Sequence, residues 1–291
     1  MLVRLSLCSM VLLGGSLAQA QITFAPAVNY GGLSQPSGLT HADFTGDGHL
    51  DLATTSDAFD RVVIFQNAGD GTFGTSFNVP MPISSSPQDV IAADFNGDTF
   101  ADFAVALRDP AGTVQVMLNN GTGSFSMGSV AAVGDRPRGL SVADLGTGPS
   151  LAVANRNDDT ISVLRNNGTG TLTSTTVAVG AEPRDTTFGN FLPDAGLEIV
   201  VSNADSRSIT ILDDNGAGYV PVQTISVGAI VRPDGVTTSD FNNDGLDDLA
   251  VAVGDPEFAS VYLNTGTGFA PVANYATGGL AGSDIHAGDF N

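Results

Sequence analysis

A proline stands seven residues before an Asp-Phe-like pair, and this arrangement recurs along the whole 291-residue chain. The copies start near positions 36, 87, 137, 183, 233 and 282, and glycine replaces the proline in the last of them. Successive copies therefore lie 51, 50, 46, 50 and 49 residues apart. A fixed period of this length is typical of an array in which each unit buries its apolar face against its neighbours. The chain is therefore predicted to be one repeated module.

Residues 1–20 have the features of a secretory signal peptide. An apolar run follows Arg4, and small residues form a cleavage site near Ala20. We expect the mature chain, 21–291, to be a single propeller domain that is secreted, displayed on the cell surface or periplasmic. No later stretch is long and apolar enough to span a bilayer, so membrane insertion is not expected. The only cysteine, Cys8, lies in the signal segment, so the mature protein has no disulfide.

The composition is acidic and poor in helix-forming signals. The chain has 31 Asp and Glu against 10 basic residues, all of them Arg, and a formal net charge of −21. This charge disfavours nucleic acid and anionic membranes as partners. Nearly all the acids are Asp, which serves turns and metal loops, whereas Glu favours helices. With 36 Gly and no long stretch of helical period, the composition indicates strands and turns.

Each copy contains short alternating segments rich in β-branched residues, such as 50–54 and 61–65 in the first copy. An Asn/Gly turn such as 67–73 follows the second segment and supplies the positive φ values of a hairpin. With one strand after the proline and one after the turn, each unit has four strands, named a, b, c and d. Four-stranded units at this period predict the blades of a β-propeller; a β-solenoid is the alternative, although its coils are usually much shorter.

The predicted fold is therefore all-β: a β-propeller of four-stranded blades with five complete repeats and the start of a sixth. Asp289 and Phe290 open the sixth copy. The segment Thr23 to Tyr30 resembles a d strand, and we expect it to complete the last blade and remove an open edge. Because the sequence stops one strand into the sixth copy, we expect the chain to be truncated.

The loop between strands a and b carries the chemistry of each repeat. In the fifth copy, side-chain oxygens occupy loop positions 1, 3, 5 and 9, and glycine occupies position 6. Calcium takes six to eight hard oxygen ligands, and the glycine allows the turn that brings in the carbonyl of position 7. Magnesium is disfavoured because it rarely uses an all-protein cage. The alternative is that these Asp residues only form turns.

The first copy has the same pattern, and the second has Thr99 at the glycine position, where a β-branched residue is strained. The third loop, 144–150, is one residue short, and the fourth has Leu192 at position 3, so we expect no metal at either. The predicted calcium ligands are Asp43, Thr45, Asp47, His49 and Asp51; Asp94, Asn96, Asp98, Phe100 and Asp102; and Asp240, Asn242, Asp244, Leu246 and Asp248.

These loops resemble those of the FG-GAP or VCBS repeat family, whose blades also build the headpiece of integrin α subunits. The resemblance rests on DFTGDGHLD from Asp43, DFNGDTFAD from Asp94 and DFNNDGLDD from Asp240, together with the Asn-x-Gly-x-Gly turns. It extends over 36–291, nearly all of the mature chain. The resemblance implies a secreted propeller with structural Ca²⁺ between strands a and b.

Antiparallel strands place the a–b and c–d loops on one face of a propeller and the b–c and d–a loops on the other. Eight of the nine mature arginines map to this second face. Those in the d–a loops are expected at the channel mouth, where they could hold carboxylates or sulfates of a ligand. Local ion pairing with neighbouring acids is the alternative. The candidate ligand residues are Arg136, Arg138, Arg184 and Arg232.

The residues give little support to catalysis. The mature chain has no Cys nucleophile and no nucleophile-elbow Ser, and its three His lack a triad context. We predict a non-enzymatic, calcium-binding propeller that acts as a binding or adhesion module for an extracellular protein or glycan ligand. The alternative is a non-catalytic propeller part of, or scaffold for, a secreted polysaccharide-degrading enzyme, since such enzymes include similar propellers.

Overall fold

A computed structural model gives the fold of most of the chain. The residues it describes are 27–192, 196–228, 231–254, 257–276 and 284–288. The predicted signal peptide, 1–20, and the opening of the sixth copy at 289–291 lie outside them. Within these ranges, twenty strands form five separate four-stranded antiparallel sheets. In the described ranges no helix is long and apolar enough to cross a membrane.

Each sheet takes four consecutive strands in chain order. The first contains β1 Leu39–Ala42, β2 Asp51–Ser56, β3 Arg61–Gln66 and β4 Thr75–Pro80. The second contains β5 Pro87–Ala93, β6 Asp102–Leu107, β7 Thr113–Asn119 and β8 Phe125–Ala132. The third contains β9 Pro137–Asp144, β10 Pro149–Asn155, β11 Thr160–Asn166 and β12 Leu172–Ala178. The fourth contains β13 Pro183–Gly189, β14 Glu198–Asn203, β15 Ser208–Asp214 and β16 Tyr219–Ser226. The fifth contains β17 Pro233–Ser239, β18 Asp248–Gly254, β19 Glu257–Asn264 and β20 Phe269–Ala276.

These sheets are the predicted blades, and the a, b, c and d strands fall where the sequence placed them. The repeating proline is the first residue of strand a in the second to fifth blades. The a strands of successive blades contact one another, β1 with β5, β5 with β9, β9 with β13 and β13 with β17. Strand a is therefore the innermost strand of each blade, as a propeller requires, and strand d is the outermost.

The hydrophobic core lies between adjacent blades rather than within one of them. Strands b and c supply most of it, and every residue of β6 is buried. Phe44 of the first a–b loop is fully buried and meets Phe103 and Phe125 of the second blade, with ring centroids 6.2 and 6.1 Å apart. Each blade therefore buries its apolar face only when its neighbour is present, which is the physical reason for the repeat.

The segment Thr23 to Tyr30, expected to add a d strand to the last blade, is described only from residue 27, and that expectation stays a prediction. Residues 27–30 are not in a strand. Tyr30 packs instead on Phe65 and Phe73 of the first blade, with ring centroids 6.0 and 5.6 Å apart. The hydroxyl of Tyr30 also accepts a hydrogen bond from the Phe73 N–H at 3.2 Å. The aromatic contact fixes Tyr30 on the first blade without strand pairing.

Candidate metal loops and an arginine pocket

The first acid of each predicted calcium loop is surrounded by backbone N–H groups of that loop. Asp43 accepts hydrogen bonds from Gly46 at 2.7 Å through Oδ1 and from Gly48 at 2.8 Å through Oδ2. Asp240 accepts one from Gly245 at 2.9 Å, and this bond contributes most to holding the pKa of Asp240 below its usual range. The loops are thus wound around the carboxylate of their first acid.

Position 6 of these loops adopts a left-handed conformation, as the sequence predicted. The φ values are 84° at Gly48 and 90° at Gly245. Thr99 takes the same conformation, with φ of 75°, although a β-branched residue is strained there. Its N–H still reaches Asp94 Oδ2 at 2.8 Å, so the second loop keeps the shape of the other two.

Positions 3 and 5 point oxygen atoms into the loop. The Asp47 carboxylate accepts the His49 N–H at 2.9 Å, and this bond holds the pKa of Asp47 below its usual range. Asp98 and Asp244 make the same contact to the residue at position 7. Thr45 Oγ1, at position 3 of the first loop, is buried, and its interaction with the Asp47 carboxylate also lowers the pKa of Asp47.

The acid at position 9 is a buried structural element. Asp51, Asp102 and Asp248 have no exposed surface. Asp102 accepts the Phe95 N–H at 3.0 Å and the Asn119 N–H at 2.7 Å, and the other two acids make equivalent bonds. Burial raises the pKa of Asp102 to about 6. This acid thus joins the a–b loop to the end of strand c.

The two loops with departing sequences use other side chains for bonds of this kind. In the third blade Ser150 Oγ accepts the Asn166 N–H at 3.1 Å. In the fourth blade Glu198 Oε2 accepts the N–H groups of Phe191 and Leu192 at 2.6 and 3.0 Å. The predicted absence of metal at these loops is consistent with this replacement but is not tested by it; Asp194, an acid of the fourth loop, lies outside the described residues.

The donor set suits calcium, because the predicted ligands are carboxylate, amide, hydroxyl and carbonyl oxygens. Over the ranges described, however, no three His, Cys, Asp or Glu side chains are grouped closely enough to hold a metal ion. Calcium binding at the three loops therefore remains a prediction.

The first Asn of the c–d turn is an inter-blade contact, which the sequence did not reveal. Asn119 Nδ2 donates to the Phe44 carbonyl of the preceding blade at 2.9 Å. Asn166 and Asn264 donate in the same way to the carbonyls of Phe95 and Phe191. We call this contact the Asn latch. The turn had been interpreted only as a source of positive φ.

The junction of the third and fourth blades replaces the Asn latch with an ion pair. Asp214 stands where the other blades have Asn, and it pairs with Arg165 of the third blade. The Arg165 guanidinium also lies 5.6 Å from the ring centroid of Tyr219. This contact explains the one mature arginine that the sequence placed toward the metal loops.

Opposite the metal loops, one acid organises a cluster of arginines. Glu182, just before the proline of the fourth blade, accepts hydrogen bonds from Arg156 Nε at 2.6 Å and Arg184 Nη2 at 2.9 Å. Arg232 also pairs with it. Burial by itself raises the pKa of Glu182, but the hydrogen-bonded Asp205 and Arg156 side chains and the charge of Arg184 outweigh it, and the pKa falls to about 2.

The four predicted ligand arginines differ in their ion pairs and in how much of each side chain is exposed. Arg184 pairs with Glu182 and, at 2.7 Å, with Asp234, and only 17% of its side chain is exposed. Arg138 lies 4.0 Å from Asp234. Arg232 pairs with Glu182 and Asp205, yet 48% of its side chain is exposed. Local ion pairing, the alternative weighed from the sequence, thus accounts for much of this cluster.

Arg136 is half-buried, and in the described part of the chain its guanidinium makes no ion pair.

An open cavity of about 450 Å³ lies beside Glu182. We call it the Glu182 pocket. Its lining comprises Arg156, Asn157, Asp159, Ala181, Glu182, Asp205 and Arg232. The sequence interpretation noted Arg156 only as a residue of the second face and missed Asp205. The proline repeat could have pointed to both residues. Arg156 lies in the b–c loop of the third blade, and Glu182 stands beside the proline of the fourth blade. Asp205 lies in the b–c loop of the fourth blade, and Arg232 stands beside the proline of the fifth.

Comparison with known protein families finds a match in segments that contain the predicted calcium loops. The family model of the FG-GAP-like repeat matches residues 43–105 and 240–291. The chain carries FG-GAP-like repeats. Both matched segments begin at the first acid of a predicted calcium loop, Asp43 or Asp240, and the first of them extends through the loop of the second blade. A search of curated proteins finds no match.

Solved structures similar to this chain are β-propellers of low sequence identity. A protein from Lactobacillus plantarum is 15% identical, with a TM-score of 0.62 over 85% of this chain and 74% of that one. BBS1N, crystallised in complex with ARL6DN, is 14% identical, with a TM-score of 0.58 over 81% and 68%. A 6-phosphogluconolactonase-like protein from Bacteroides uniformis is 12% identical, with a TM-score of 0.53 over 84% and 68%. At these identities the likeness concerns the fold alone.

Proposed function

We propose that this chain is a secreted, calcium-stabilised β-propeller that binds an extracellular protein or glycan ligand through the Glu182 pocket. The repeat family and the propeller fold support a ligand-binding module. The similar propeller BBS1N was crystallised in a complex with ARL6DN, an example of this architecture engaging a partner. The lactonase-like neighbour is a reminder that the same fold also occurs outside binding proteins.

The observation that carries the proposal is the unused hydrogen-bonding capacity of two guanidinium groups in one cavity. Arg232 meets both Glu182 and Asp205 through its Nη2 atom alone. Arg156 meets Glu182 through Nε and Nη2. Within the described residues, Arg232 Nε and Nη1 and Arg156 Nη1 therefore have no partner. A guanidinium with an open edge can take a carboxylate or sulfate, and Glu182 holds both groups in place.

The acids around the pocket restrict the charge of the ligand. Asp159, Glu182 and Asp205 lie in the lining, and the whole chain carries a net charge of −21. A ligand with many charges would be repelled, whereas one with a single anionic group and several hydroxyl donors could satisfy the guanidinium edges and the acids together. The structure therefore favours a sparsely charged acidic ligand.

On the opposite face, calcium would be held by the acids and position-3 oxygens of the loops beginning at Asp43, Asp94 and Asp240, with the carbonyl of position 7. A bound cation would neutralise carboxylates that repel one another. The buried acids at position 9 then connect the loop to the rest of the blade. Calcium would thus stabilise the scaffold and would not touch the ligand.

The proposal is tested with an array of neutral and acidic glycans, probed with the mature protein at low and high salt. Arg232→Gln is the test variant, because this side chain is the most exposed of the paired arginines on the pocket. Arg207→Gln is the matched control, since Arg207 is exposed on the same face but does not line the pocket. We expect Arg232→Gln to weaken binding, and the wild-type signal to fall with salt. Equal binding by wild type and Arg232→Gln would refute the pocket as the site.

A further inference from the structure

A cavity of about 460 Å³ lies on the first blade, between its a–b loop and its c–d turn. Its volume is within the range of about 300–1,000 Å³ that is typical of small-molecule sites. We call it the first-blade cavity. It shares no described residue with the Glu182 pocket. Its lining includes Asp47 and His49 of the loop, Gln66 at the end of strand c, and Thr72, Gly74 and Thr75 after it.

The first blade differs from the other blades with a predicted calcium loop at His49, which is position 7 of its loop. The second and fifth loops have Phe100 and Leu246 there. Phe100 packs on the c–d turn, because a Cβ added to Gly121 would lie 2.4 Å from its ring. In the first blade a Cβ added to Gly69 would lie 2.6 Å from His49 Nε2. An imidazole therefore takes the place of an apolar side chain against the turn.

The first blade differs a second time at Gln66, the residue before the first Asn of the c–d turn. Leu118 and Leu263 hold this position in the second and fifth blades, and both pack against the hydrophobic core. Gln66 is half-buried, and its Oε1 accepts the hydroxyl of Thr75 at 3.1 Å. A polar side chain thus replaces an apolar one again, on the same cavity as His49.

The c–d turn of the first blade is also one residue longer than those of the second and third blades. Residues 67–74 lie between its paired strand ends, whereas 119–125 and 166–172 do so in the other two blades. Aligning the turns on Phe73 identifies Gly74 as the additional residue, and Gly74 lines the cavity. The fold requires none of these three changes, because the second and fifth blades form their sheets without them.

The polar groups of the cavity have unused hydrogen-bonding capacity. Among the described residues, none makes a hydrogen bond to the exposed imidazole of His49, whose only bond is through the main-chain N–H. Thr72 Oγ1 donates to Asp70 at 2.6 Å and Thr75 Oγ1 donates to Gln66, so both hydroxyl oxygens can still accept. The Gln66 amide adds N–H donors. The cavity thus presents donors and acceptors side by side.

The charge of the cavity disfavours an anionic ligand. Asp47 is the only charged side chain among its described lining residues, and no arginine lines it, in contrast to the Glu182 pocket. A sugar hydroxyl both donates and accepts, so a neutral sugar matches this mixed set of groups without bringing a charge. Ala68 and the ring carbons of His49 add apolar surface for the C–H face of such a ring.

We propose that the first-blade cavity binds a neutral glycan residue through hydrogen bonds to His49, Gln66 and Thr75. This site is separate from the Glu182 pocket, and the proposal does not rest on the proposed function. The predicted calcium ligand at position 7 is the main-chain carbonyl of His49, so its imidazole remains available to a glycan in the calcium-loaded protein.

The test is an NMR titration of the mature protein labelled with ¹³C and ¹⁵N in histidine, at saturating calcium. The chain has only three His, so the ring signals are assigned with single variants. The probes are neutral oligosaccharides with terminal galactose, glucose, mannose, fucose or N-acetylglucosamine. Sialyllactose and a short Gly-Ser peptide are the comparison probes. We expect a neutral probe to shift the His49 ring signals, to leave those of His41 unchanged, and to bind equally well at high salt.

Two variants identify the groups that bind. His49→Leu and Gln66→Leu introduce the residue that the fifth blade has at each equivalent position, so both should fold, which the melting temperature checks. His41→Leu is the matched control, because His41 is exposed on β1 and does not line the cavity. In calorimetry each test variant should lose about threefold to tenfold in affinity for the active probe. The control and Arg232→Gln should match the wild type.

Four results would overturn the proposal. If no neutral probe shifts the His49 signals, or if wild type and His49→Leu bind with equal affinity, the site is refuted. A response to sialyllactose or to the peptide alone would contradict the neutral-glycan class. Loss of binding in Arg232→Gln, with His49→Leu unaffected, would show that the glycan occupies the Glu182 pocket instead.

Discussion

Replacing Asn166 by Ala removes one complete Asn latch and tests whether these side chains hold neighbouring blades together. Asn166 Nδ2 donates to the buried Phe95 carbonyl at 2.8 Å, and its Oδ1 accepts the N–H groups of Gly168 and Gly170 at 2.9 and 3.2 Å. Asn166 is 2% exposed. The substitution therefore leaves at least two buried polar groups, at Phe95 and Gly170, without partners.

A buried polar group that loses its partner costs about 1–3 kcal/mol, so Asn166→Ala should lower the free energy of unfolding by about 2–6 kcal/mol. The neighbouring Asn167 is the matched control. It accepts bonds from Thr169 N and Oγ1 at 3.0 and 2.9 Å, but these atoms are exposed and water can replace it. Asn167→Ala should cost less than about 1 kcal/mol.

The assay is urea unfolding followed by circular dichroism, since the chain has no Trp to report by fluorescence. Asn166→Asp adds an isosteric variant that keeps the acceptor for the glycine N–H groups and turns the donor into a second oxygen. It should be nearly as damaging as Ala, because that oxygen faces the Phe95 carbonyl. If Asn166→Ala is no less stable than Asn167→Ala, the inter-blade contact contributes nothing and the reasoning fails.

Three further outcomes are expected. Chelation of calcium should lower the melting temperature, and Asp244→Ala should reduce both this shift and the number of ions bound in calorimetry, because metal bound only by the folded state stabilises it; a melt unchanged by chelator would contradict the calcium sites. Thr99→Gly should raise the free energy of unfolding by about 1 kcal/mol, since glycine adopts a φ of 75° without steric cost, whereas Gly48→Thr should lower it. Glu182→Gln should lower the free energy of unfolding at pH 7, because the pKa of Glu182 is depressed in the folded protein. The stability difference from wild type should shrink as the pH falls from about 4.5 towards 2, where the carboxylate becomes protonated. A stability difference that does not change with pH would show that the Glu182 charge is not stabilising.

The blades were predictable because their signals are local. The proline, the alternating segments and the Asn/Gly turns lie within about 50 residues, and each specifies a φ value or a strand face on its own. The left-handed position of Thr99 followed from the loop pattern alone, and the structure confirms it. Repetition then strengthened each assignment, because the same local rule had to hold in every copy.

Contacts between blades were not predictable in the same way. The Asn latch joins Asn119 to Phe44, which is 75 residues away, and a turn-forming Asn looks the same whether or not it makes that bond. The fourth blade did contain a clue in its sequence to the inter-blade contact. Asp214 replaces the Asn found at this position in the other blades, and Arg165 lies near the end of strand c in the preceding blade. Glycine and aspartate also alternate two residues after the repeating proline, as at Gly38 and Asp89, but the reason for the glycine is visible only when consecutive a strands are known to touch.

The positions of the arginines in the sequence were not sufficient to predict which of them are free to bind a ligand. The sequence placed Arg138 and Arg184 among the four candidate ligand residues, and their shared partner Asp234 shows that both are held within the protein. Replacing the pair together would disturb the network around Glu182 as well as any ligand contact. Arg232 is the better probe, because both of its acids meet a single nitrogen.

The predicted calcium loops and the Glu182 pocket are formed mainly by different blades. The third and fourth blades have the loops that depart most from the calcium pattern, and Ser150 and Glu198 replace the buried aspartate there. The same two blades supply Arg156 and Glu182, and the fifth adds Arg232, so the pocket lies mainly where the predicted metal loops are absent. Ion pairs around Glu182, the Arg165–Asp214 pair and the bond from the Val236 N–H of the fifth blade to Asp185 of the fourth fix this sector. In such an arrangement, calcium could set the stability of the first, second and fifth blades without controlling the geometry of the proposed ligand site.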